Sequence, residues 1–377
     1  MKKAVLIPDS FKGTMSSAAI CEIMERRIHA HFPGCAVASI PVADGGEGSV
    51  DAFLTALGGE KVRLTVKGPY FEAMESFYGL TGGGSTAVLE MAAAAGLPLV
   101  GERRDPSKTT TFGVGQLMVA AAESGAKKLI VGLGGSSTND CGCGAAAAAG
   151  IRFYDADGAE FIPTGGTLIN VSRIDASGLA PALKAVEIVT MCDIDNPMYG
   201  PTGAAHIFGP QKGADAAMVE ELDSGVKHMA QLIARDMGLE LSTLPGSGAA
   251  GAMGAGMVAF FGSRLQMGIE TVLDTVHFED VIADADVIFT GEGKLDSQSL
   301  RGKVVIGVAR RAAKLSKKVV AVVGGADYDV DAAYDEGVTA VFPINRLPQD
   351  FSILKEHSPE NLGFTMDNIV RLIGALR

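Results

Sequence analysis

The sequence has little cysteine, and its cysteines lack the spacing of a metal site. Five of the 377 residues are cysteines, no CxxC pair occurs, and Cys141-Gly-Cys143 does not match the spacing of a zinc knuckle. The six histidines do not cluster near that triplet. An odd cysteine count fits free thiols in a reducing compartment, so we expect no zinc site and a cytoplasmic protein.

Positive charge is also scarce. Lysine and arginine number 32 against 44 acidic residues, which gives a net charge of −12 and an isoelectric point of about 5.0. Because no basic cluster relieves this balance, the phosphate backbone of a nucleic acid is not an expected partner. An anionic substrate would have to be bound by local groups, against the overall field.

Long apolar runs are missing as well. The most apolar internal stretch, "AAGAMGAGMVAFF", is too short to cross a bilayer. The N-terminal "MKKAVLIPDS" is interrupted by Pro8-Asp9 too early for the apolar part of a signal peptide. We therefore expect no membrane association and no secretion.

The sequence does contain a regular alternation of short apolar runs and helical patterns, which is typical of α/β proteins with a mainly parallel sheet. At this length two domains are expected. The alternation is clear at both ends of the chain and irregular in the middle. We therefore predict a discontinuous Rossmann-like α/β domain with a mainly parallel sheet, residues 1–85 and 278–377, and a mixed α/β domain, residues 86–277, inserted in it.

Four glycine-rich loops follow strand-like runs and carry polar side chains. They read "PDSFKGTMSS", "ADGGEGS", "GLGGSSTNDCGCG" and "TGEGKLDSQS". In open α/β sheets, ligands bind outside the carboxyl ends of the strands. All four loops are therefore candidates for one ligand-binding region.

The loop "ADGGEGS" combines Asp44 and Glu47 with the bare amides of Gly45 and Gly46, just before a helical pattern. Carboxylates suit Mg²⁺, and amides at a helix N-terminus suit an anion. A capping box, with Asp44 as the cap, is the structural alternative.

Two further loops place lysines among acidic and hydroxyl groups. Carboxylates hold Mg²⁺, and a lysine neutralises phosphate oxygens. A solvated loop or an ordinary strand-to-helix turn, with a cap at Ser297 or Ser299, explains the same pattern without a ligand. The residues concerned are Asp9, Ser10 and Lys12 in one loop and Glu292, Lys294 and Asp296 in the other.

The loop "GGSSTNDCGCG" can form an anion-binding nest of amides and hydroxyls. Its candidate members are Gly134, Gly135, Ser136, Ser137 and Thr138. It is not a Walker A loop, because GxxxxGK[ST] is absent. "GSGAAG" at 246–251 matches GxGxxG, but no strand precedes it, so a Rossmann fingerprint is rejected.

The polar stretch "MCDIDNPMYGPTGAAHIFGPQKGA" follows an apolar run. Asp193 could act as a general base toward a hydroxyl group, and an Asx turn before Pro197 is the structural alternative. Lys212 or His206 could meet a carboxylate or a phosphate. Taken together, amides, lysines and carboxylates favour a nucleotide phosphate carried by Mg²⁺ as the ligand.

The sequence resembles the bacterial glycerate kinase family, of the glycerate 2-kinase type. The resemblance covers essentially the whole chain and rests on motifs in the family's order: "PDSFKGTMSS", "PVADGGEGSVDAF", "AVLEMAAAAGL", "GLGGSSTNDCGCG", "CDIDNPMYGPTGAAHIFGPQKGA", "PGSGAAGAMG", "GIETVLD" and "TGEGKLDSQSLRGKV". The chain departs from many members at Gly13, where they have Glu, and at Lys294, where they have Arg. Lys keeps the charge but loses bidentate geometry.

The resemblance implies ATP-dependent phosphorylation of D-glycerate at the 2-hydroxyl, in a cleft between two α/β domains. On this hypothesis Asp193 is the base, Lys12 and Lys294 steady anionic oxygens, and Asp296 helps to orient the substrate. The other expected roles are metal binding by Asp44, Glu47 and Glu292, and cofactor binding by Asp9, Ser10, Gly45, Gly46, Gly134, Gly135, Ser136, Ser137 and Thr138.

The expected cofactors are ATP and Mg²⁺, and the expected partner is D-glycerate, with a homo-oligomer left open. Three alternatives stand beside this function: a glycerate 3-kinase, a nucleotide-linked hydroxy-acid dehydrogenase and a non-enzymatic sensor of a small acid. The several carboxylates argue against simple anion capture, and the strand missing before GxGxxG argues against the dehydrogenase.

Overall fold

A computed structural model of the chain describes residues 1–43 and 45–376. The contacts within it divide the chain into two compact units. The first unit contains residues 1–43, 55–57 and 267–376, and the second contains residues 45–54 and 58–266. Asp44, one of the predicted metal ligands, lies outside the described residues.

The strands of the described chain are short, and most coincide with the apolar runs of the sequence. In chain order they are β1 (Lys3–Pro8), β2 (Ala36–Ser39), β3 (Glu60–Lys67), β4 (Ala73–Thr81), β5 (Thr86–Glu90), β6 (Lys128–Gly132), β7 (Arg152–Tyr154), β8 (Glu160–Phe161), β9 (Arg173–Asp175), β10 (Glu187–Met191), β11 (Arg264–Gln266), β12 (Val287–Gly291), β13 (Lys294–Leu295), β14 (Val319–Val323), β15 (Gly325–Ala326) and β16 (Val338–Pro343).

The helices alternate with these strands. They are α1 (Ser17–His31), α2 (Ser49–Leu57), α3 (Ala92–Ala95), α4 (Leu97–Val100), α5 (Phe112–Glu123), α6 (Cys143–Ala148), α7 (Pro181–Lys184), α8 (Ala204–Phe208), α9 (Ala216–Met237), α10 (Ala249–Phe261), α11 (Gly268–Thr275), α12 (Phe278–Ile282), α13 (Val304–Ala313), α14 (Ala332–Asp335), α15 (Phe351–Leu354) and α16 (Ser358–Ala375). Short 3₁₀ turns lie at Gly82–Gly84, Gly165–Asn170, Pro210–Lys212, Ser299–Arg301 and Lys355–His357.

The first unit is built on a five-stranded sheet in the order β16-β14-β12-β1-β2, with every pair parallel. The strands β12 and β14 are buried along their whole length, as expected for apolar runs covered on both faces. Pro8 at the end of β1 pairs in register with Gly291 at the end of β12. The loops that follow these two strands therefore start side by side.

The second unit is built on a mixed six-stranded sheet in the order β11-β10-β6-β5-β4-β3. The first four strands are parallel, and β4 and β3 form an antiparallel hairpin at one edge. A small antiparallel sheet, β8-β7-β9, accompanies it. The core is rich in alanine, whose small side chain allows close approach of α6 to α5 and to α10. The prediction of an α/β protein with a parallel sheet and a mixed α/β part is confirmed.

The predicted domain boundaries stay a prediction, and the contact units differ from them at three places. Residues 45–54 belong to the second unit. Residues 58–85 belong to the second unit, because the hairpin β3–β4 pairs with β5 and through it with β6. Residues 267–277 belong to the first unit, where α11 packs against α13.

The start of α1 shows how local sequence fixes an element. Ser16 caps this helix, because its side chain accepts a hydrogen bond from the Ala19 amide. The helix α2 instead begins after Gly48, which adopts a left-handed φ of 88°. Among the described helices none is both long and apolar enough to span a membrane.

Candidate active site

The loops after β1 and β12 meet in the first unit. The Asp9 amide donates a 2.8 Å hydrogen bond to the carbonyl oxygen of Gly291. Asp9 Oδ1 accepts from the Ser10 amide at 2.7 Å, which orients this carboxylate. The structure thus brings two predicted loops together. The loop after β1 carries Asp9, Ser10 and Lys12, and the loop after β12 carries Glu292, Lys294 and Asp296.

Glu292 is the most unusual side chain of this loop pair. It is only 6% exposed, and within residues 1–43 and 45–376 its Oε1 atom has no hydrogen-bond partner. Burial raises its pKa to about 7, and the negative charges of Asp9 and Asp296 act in the same direction. An unpartnered, desolvated carboxylate oxygen suits a cation, which would restore the interactions lost on burial.

Lys294 and Asp296 each have a partner within the loops. Lys294 Nζ lies 2.9 Å from Asp327 Oδ2 at the surface, and this hydrogen bond raises the lysine pKa. Asp296 Oδ1 accepts from the amides of Gln298 and Ser299 at 2.9 and 3.3 Å. The Ser299 hydroxyl oxygen in turn accepts from the Asp296 amide at 3.1 Å, so Asp296 and Ser299 together satisfy the amides at this turn.

The donor chemistry of the first unit is compatible with Mg²⁺. Among the described residues no group of three or more His, Cys, Asp or Glu side chains is placed to hold a metal. Mg²⁺ commonly takes one or two protein carboxylates and completes its shell with water and substrate phosphates. The free Oε1 of Glu292 meets that smaller requirement.

In the second unit, the loop at residues 45–48 packs on the loop after β6, backbone against backbone. The Gly134 amide donates to the Gly45 carbonyl oxygen at 2.9 Å. A Cβ on Gly134 would lie 2.5 Å from the Gly46 Cα, and one on Gly132 would lie 2.2 Å from the Gly45 oxygen. These glycines are therefore required by close packing, whether or not their amides also meet a ligand.

The N-terminus of α2 has an internal acidic partner. Glu90, at the end of β5, is buried, and its Oε2 accepts a 3.2 Å hydrogen bond from the Val50 amide. The amides of Gly48 and Ser49 also hold this carboxylate, and burial raises its pKa. A ligand anion at this helix start would compete with Glu90. Glu47, the predicted metal ligand beside it, is exposed.

The loop 134–140 is anchored by Asp140, which sequence reasoning did not single out. This fully buried carboxylate accepts from the amide and the hydroxyl of Thr111, both at 2.8 Å, and from the amides of Gly142 and Gly144. Burial raises its pKa against these four stabilising bonds. The only local signal was its place in a glycine-rich loop.

The three predicted hydroxyls of this loop have different surroundings. The Ser137 hydroxyl donates to the Ala95 carbonyl oxygen at 2.9 Å, and so serves the fold. The Thr138 hydroxyl is fully buried and has no partner among the described residues. Of these three residues, Ser136 lines a cavity of the second unit.

That cavity of about 390 Å³ lies at the carboxyl ends of β6 and β10. Asp193, directly after β10, lines it, as do the predicted residues Gly134, Gly135 and Ser136. The remaining walls are largely apolar: Leu97, Leu133, Met191, Cys192, Ile194, Phe208, Gln211, Lys212, Ala249 and Ala250. The placement agrees with the rule that ligands bind where parallel strands end.

Lys212 is the cation of this cavity. It is 2% exposed, and its ammonium group donates to Ser136 Oγ at 2.8 Å and to the Thr138 carbonyl oxygen at 2.7 Å. Burial lowers its pKa to about 7, and the charge of Asp140 opposes that change. The sequence left Lys212 and His206 as alternatives. His206 does not line the cavity, and its Nε2 lies 3.9 Å from both Glu220 and Asp223 on α9.

Comparison with known proteins identifies the family of the chain. The family model described as "Glycerate kinase family" matches residues 4–374. The chain belongs to the glycerate kinase family. The predicted family is confirmed, and the prediction of an enzyme, a kinase, is confirmed with it.

Relatives of this glycerate kinase family member cover nearly the whole chain. It is 44% identical over 343 residues to "Glycerate 2-kinase" of Escherichia coli K12, which covers 91% of this chain and 90% of the relative. It is 41% identical over 372 residues to "Glycerate kinase" of Bacillus subtilis 168, covering 98% and 97% of the two chains.

A solved structure is also similar. The crystal structure of a candidate glycerate kinase 2 from Salmonella typhimurium LT2 matches with a TM-score of 0.88 at 40% identity, covering 99% of this chain and 98% of that one. The roles assigned to individual residues of the site stay predictions.

Proposed function

We propose that this kinase transfers the γ-phosphoryl group of ATP to the 2-hydroxyl of D-glycerate and releases 2-phospho-D-glycerate and ADP. The observation that carries the proposal is the full-length match to the glycerate kinase family. The Escherichia coli relative at 44% identity, named for the 2-position, supports the regiochemistry.

The chemistry is a direct displacement at phosphorus. The glycerate hydroxyl oxygen forms a bond to the γ-phosphorus, and the bond from that phosphorus to the bridging oxygen of ADP breaks. Asp193 takes the hydroxyl proton, because it lines the cavity where the substrate hydroxyl is proposed to bind. Since positioning and charge neutralisation account for most phosphoryl-transfer catalysis, no covalent enzyme intermediate is required.

The charged loops of the first unit are proposed to serve the nucleotide. Lys12 and Lys294 steady phosphate oxygens, Asp9 and Ser10 position the loop, and Asp296 orients the groups around it. Glu292 would hold Mg²⁺. Metal binding by Glu47 and by Asp44 stays a prediction from the sequence. When bound, that ion neutralises charge on the β- and γ-phosphates.

The glycine and hydroxyl loops of the second unit are proposed to supply donors to an anion. Gly134, Gly135 and Ser136 line the cavity. The Gly135 amide and the Ser136 hydroxyl are the proposed donors, because the Gly134 amide is bound to the Gly45 carbonyl oxygen. Gly45, Gly46, Ser137 and Thr138 hold that loop in place through packing and hydrogen bonds, or would contribute further donors.

The test is ADP release from the purified chain with ATP, Mg²⁺ and D-glycerate, with phosphorus NMR of the product. We expect ADP release and the signal of 2-phosphoglycerate. A signal from 3-phosphoglycerate would keep the kinase and overturn the position. Folded protein that releases no ADP with glycerate would overturn the proposed substrate.

A further inference from the structure

We propose that Lys212 and Ser136 form the pair that binds the carboxylate of the acid substrate. This inference rests on the proposed function, because it assigns one group of the proposed substrate to two residues of the cavity. The sequence favoured a nucleotide phosphate for Ser136 and left the role of Lys212 open. The geometry of the second unit points to the substrate carboxylate instead.

The hydrogen-bond count at Lys212 leaves one donor for a ligand. A lysine ammonium group has three hydrogens and no acceptor. Two of them are committed to Ser136 Oγ and to the Thr138 carbonyl oxygen. Within the described chain no third acceptor is bound, and Lys212 is part of the cavity wall. The remaining hydrogen is available to an oxyanion in the cavity.

Ser136 supplies a second donor at the same place. Its oxygen accepts from Lys212 at 2.8 Å, so its own hydrogen must point elsewhere. No acceptor for that hydrogen exists among the described residues, and Ser136 also lines the cavity. A lysine and a hydroxyl that are bonded to each other and share one cavity wall can each donate to one of the two oxygens of a carboxylate.

The charge balance of the cavity favours a carboxylate over a triphosphate. Among its described lining residues, Lys212 is the one cation and Asp193 the one carboxylate. A nucleotide triphosphate carries several negative charges and normally meets several cations or a metal ion. A hydroxy acid carries one negative charge, so it needs one cationic partner, and Lys212 supplies it.

The walls of the cavity strengthen the attraction between the lysine and a bound carboxylate. They are mainly apolar, with Leu133, Met191 and Phe208 among them, and an ion pair is stronger where water is excluded. The pKa of Lys212, lowered to about 7 by burial, agrees with this view. A buried ammonium group without a close negative partner loses its proton more easily, and a bound carboxylate would stabilise the charged form. Asp140 is near, but its oxygens are already taken by Thr111, Gly142 and Gly144.

The experiment compares D-glycerate with its neutral amide, D-glyceramide, as phosphoryl acceptors. The wild type and the variants Lys212→Met and Ser136→Ala are assayed for kcat/KM with each acceptor and for the KM of ATP. A hydrogen bond to a charged group is usually worth a factor of about 10–100. We therefore expect each variant to lower the preference for glycerate over glyceramide by about 10–100-fold while the KM of ATP stays unchanged.

A matched control separates recognition from folding. Ser76 lies in β4 of the same unit, is buried, and donates its hydroxyl to the Ala93 carbonyl oxygen at 2.7 Å. Ser76→Ala removes a comparable hydroxyl outside the cavity and should keep the wild-type acceptor preference. If Lys212→Met does not fold, as judged by its thermal melt, Ser136→Ala decides alone.

The other outcomes distinguish a failure of the Lys212–Ser136 assignment from a failure of the proposed function. An unchanged preference in a folded variant, or a raised KM for ATP instead, overturns the carboxylate assignment and leaves the kinase intact. If the wild type phosphorylates neither acceptor, the proposed function fails. Calorimetric binding of glycerate then tests the pair directly, and equal affinity of wild type and Ser136→Ala would overturn it.

Discussion

The two units of the chain offer different chemical groups to a charged ligand. The first unit presents acidic side chains and exposed lysines in the loops after β1 and β12. The second unit presents backbone amides, one hydroxyl and one buried lysine at the ends of β6 and β10. Both regions follow the same rule of parallel sheets, that ligands meet the carboxyl ends of strands.

The contrast teaches that similar glycine-rich loops can carry opposite chemistry. The Oε1 atom of Glu292 is buried and has no hydrogen-bond partner among the described residues, so a cation is the ligand that we expect there. The buried ammonium group of Lys212 uses two of its three hydrogens within the protein, so an anion is the ligand that we expect for the third. The predictions that follow test this division, beginning with the largest expected effect.

The first prediction concerns Asp193, the acid of the second unit's cavity. Asp193→Asn keeps the shape of the side chain and removes its ability to take a proton. Because general bases contribute about 10²–10⁴-fold, kcat should fall by that factor. Binding of a fluorescent ATP analogue should be unchanged. The kinetic assay is coupled ADP release at saturating ATP.

A near-normal kcat in Asp193→Asn would remove this residue from the role of base. Asp195, two positions along and exposed, offers a matched control. Asp195→Asn changes the same charge in the same loop and should keep most of the turnover. Equal loss in both variants would mean that the charge of the loop matters rather than proton transfer.

The second prediction concerns Glu292, the unpartnered acid of the first unit. Glu292→Gln keeps its size and removes the negative charge. If this side chain holds Mg²⁺, the Mg²⁺ concentration at half-maximal activity should rise by about 10–100-fold, the usual scale for a perturbed metal site. The measurement is a Mg²⁺ titration of initial rates at fixed ATP.

The control for Glu292 is Glu336, an acid of the same unit that pairs with Arg310 at the surface. Glu336→Gln should leave the Mg²⁺ titration as in the wild type. An unshifted Mg²⁺ titration in Glu292→Gln, with activity retained, would contradict metal binding by this residue. The first unit would then not differ from the second in binding a cation.

Local sequence signals account for most of the fold. The segment "AAMVEELDSGVKHMAQLIARDM" forms α9, and its apolar period and Asp215 cap are both local features that favour a helix. The alternating segments "KVRLTVKG" and "ESFYGLTG" likewise indicate the hairpin β3–β4. Its membership in the second sheet is not indicated locally, since pairing with β5 depends on contacts between distant residues.

The candidate site was harder to predict, because burial decides its chemistry. Lys212 lies in a short 3₁₀ turn, and nothing adjacent in sequence indicates that it is packed against Ser136 and Thr138, more than seventy residues earlier. Glu90 reads as the end of an apolar strand, yet it caps the start of α2. Such residues gain their roles from tertiary contacts that no local pattern encodes.

The third prediction is a rise of the KM for glycerate with pH, caused by Lys212 of the second unit. The ammonium group of Lys212 is charged below its pKa of about 7 and loses its proton as the pH rises through that value. If the charged form binds glycerate, the KM for glycerate should be flat below about pH 7 and then rise by up to about tenfold per pH unit. The groups near it are Asp140, which raises its pKa, and Asp193 in the same cavity.

The measurement is a series of steady-state assays from about pH 6 to about pH 9, with each substrate varied in turn. The KM for ATP should not follow the rise. In Lys212→Met the KM for glycerate should already be high at low pH and change little. The same pH-dependent rise in that variant would assign the titration to another group.

The smallest expected effect concerns Lys294, the exposed lysine of the first unit. It is bound to Asp327 at 2.9 Å, and exposed ion pairs are weak and screened by solvent. Lys294→Ala should raise the KM for ATP by no more than about fivefold. Asp327→Ala removes the partner but keeps the lysine, so its KM for ATP should be equal to or below that of the wild type. If both variants raise the KM equally, Lys294 acts only through its bond to Asp327, and nucleotide binding by the first unit would depend on its carboxylates and on Lys12.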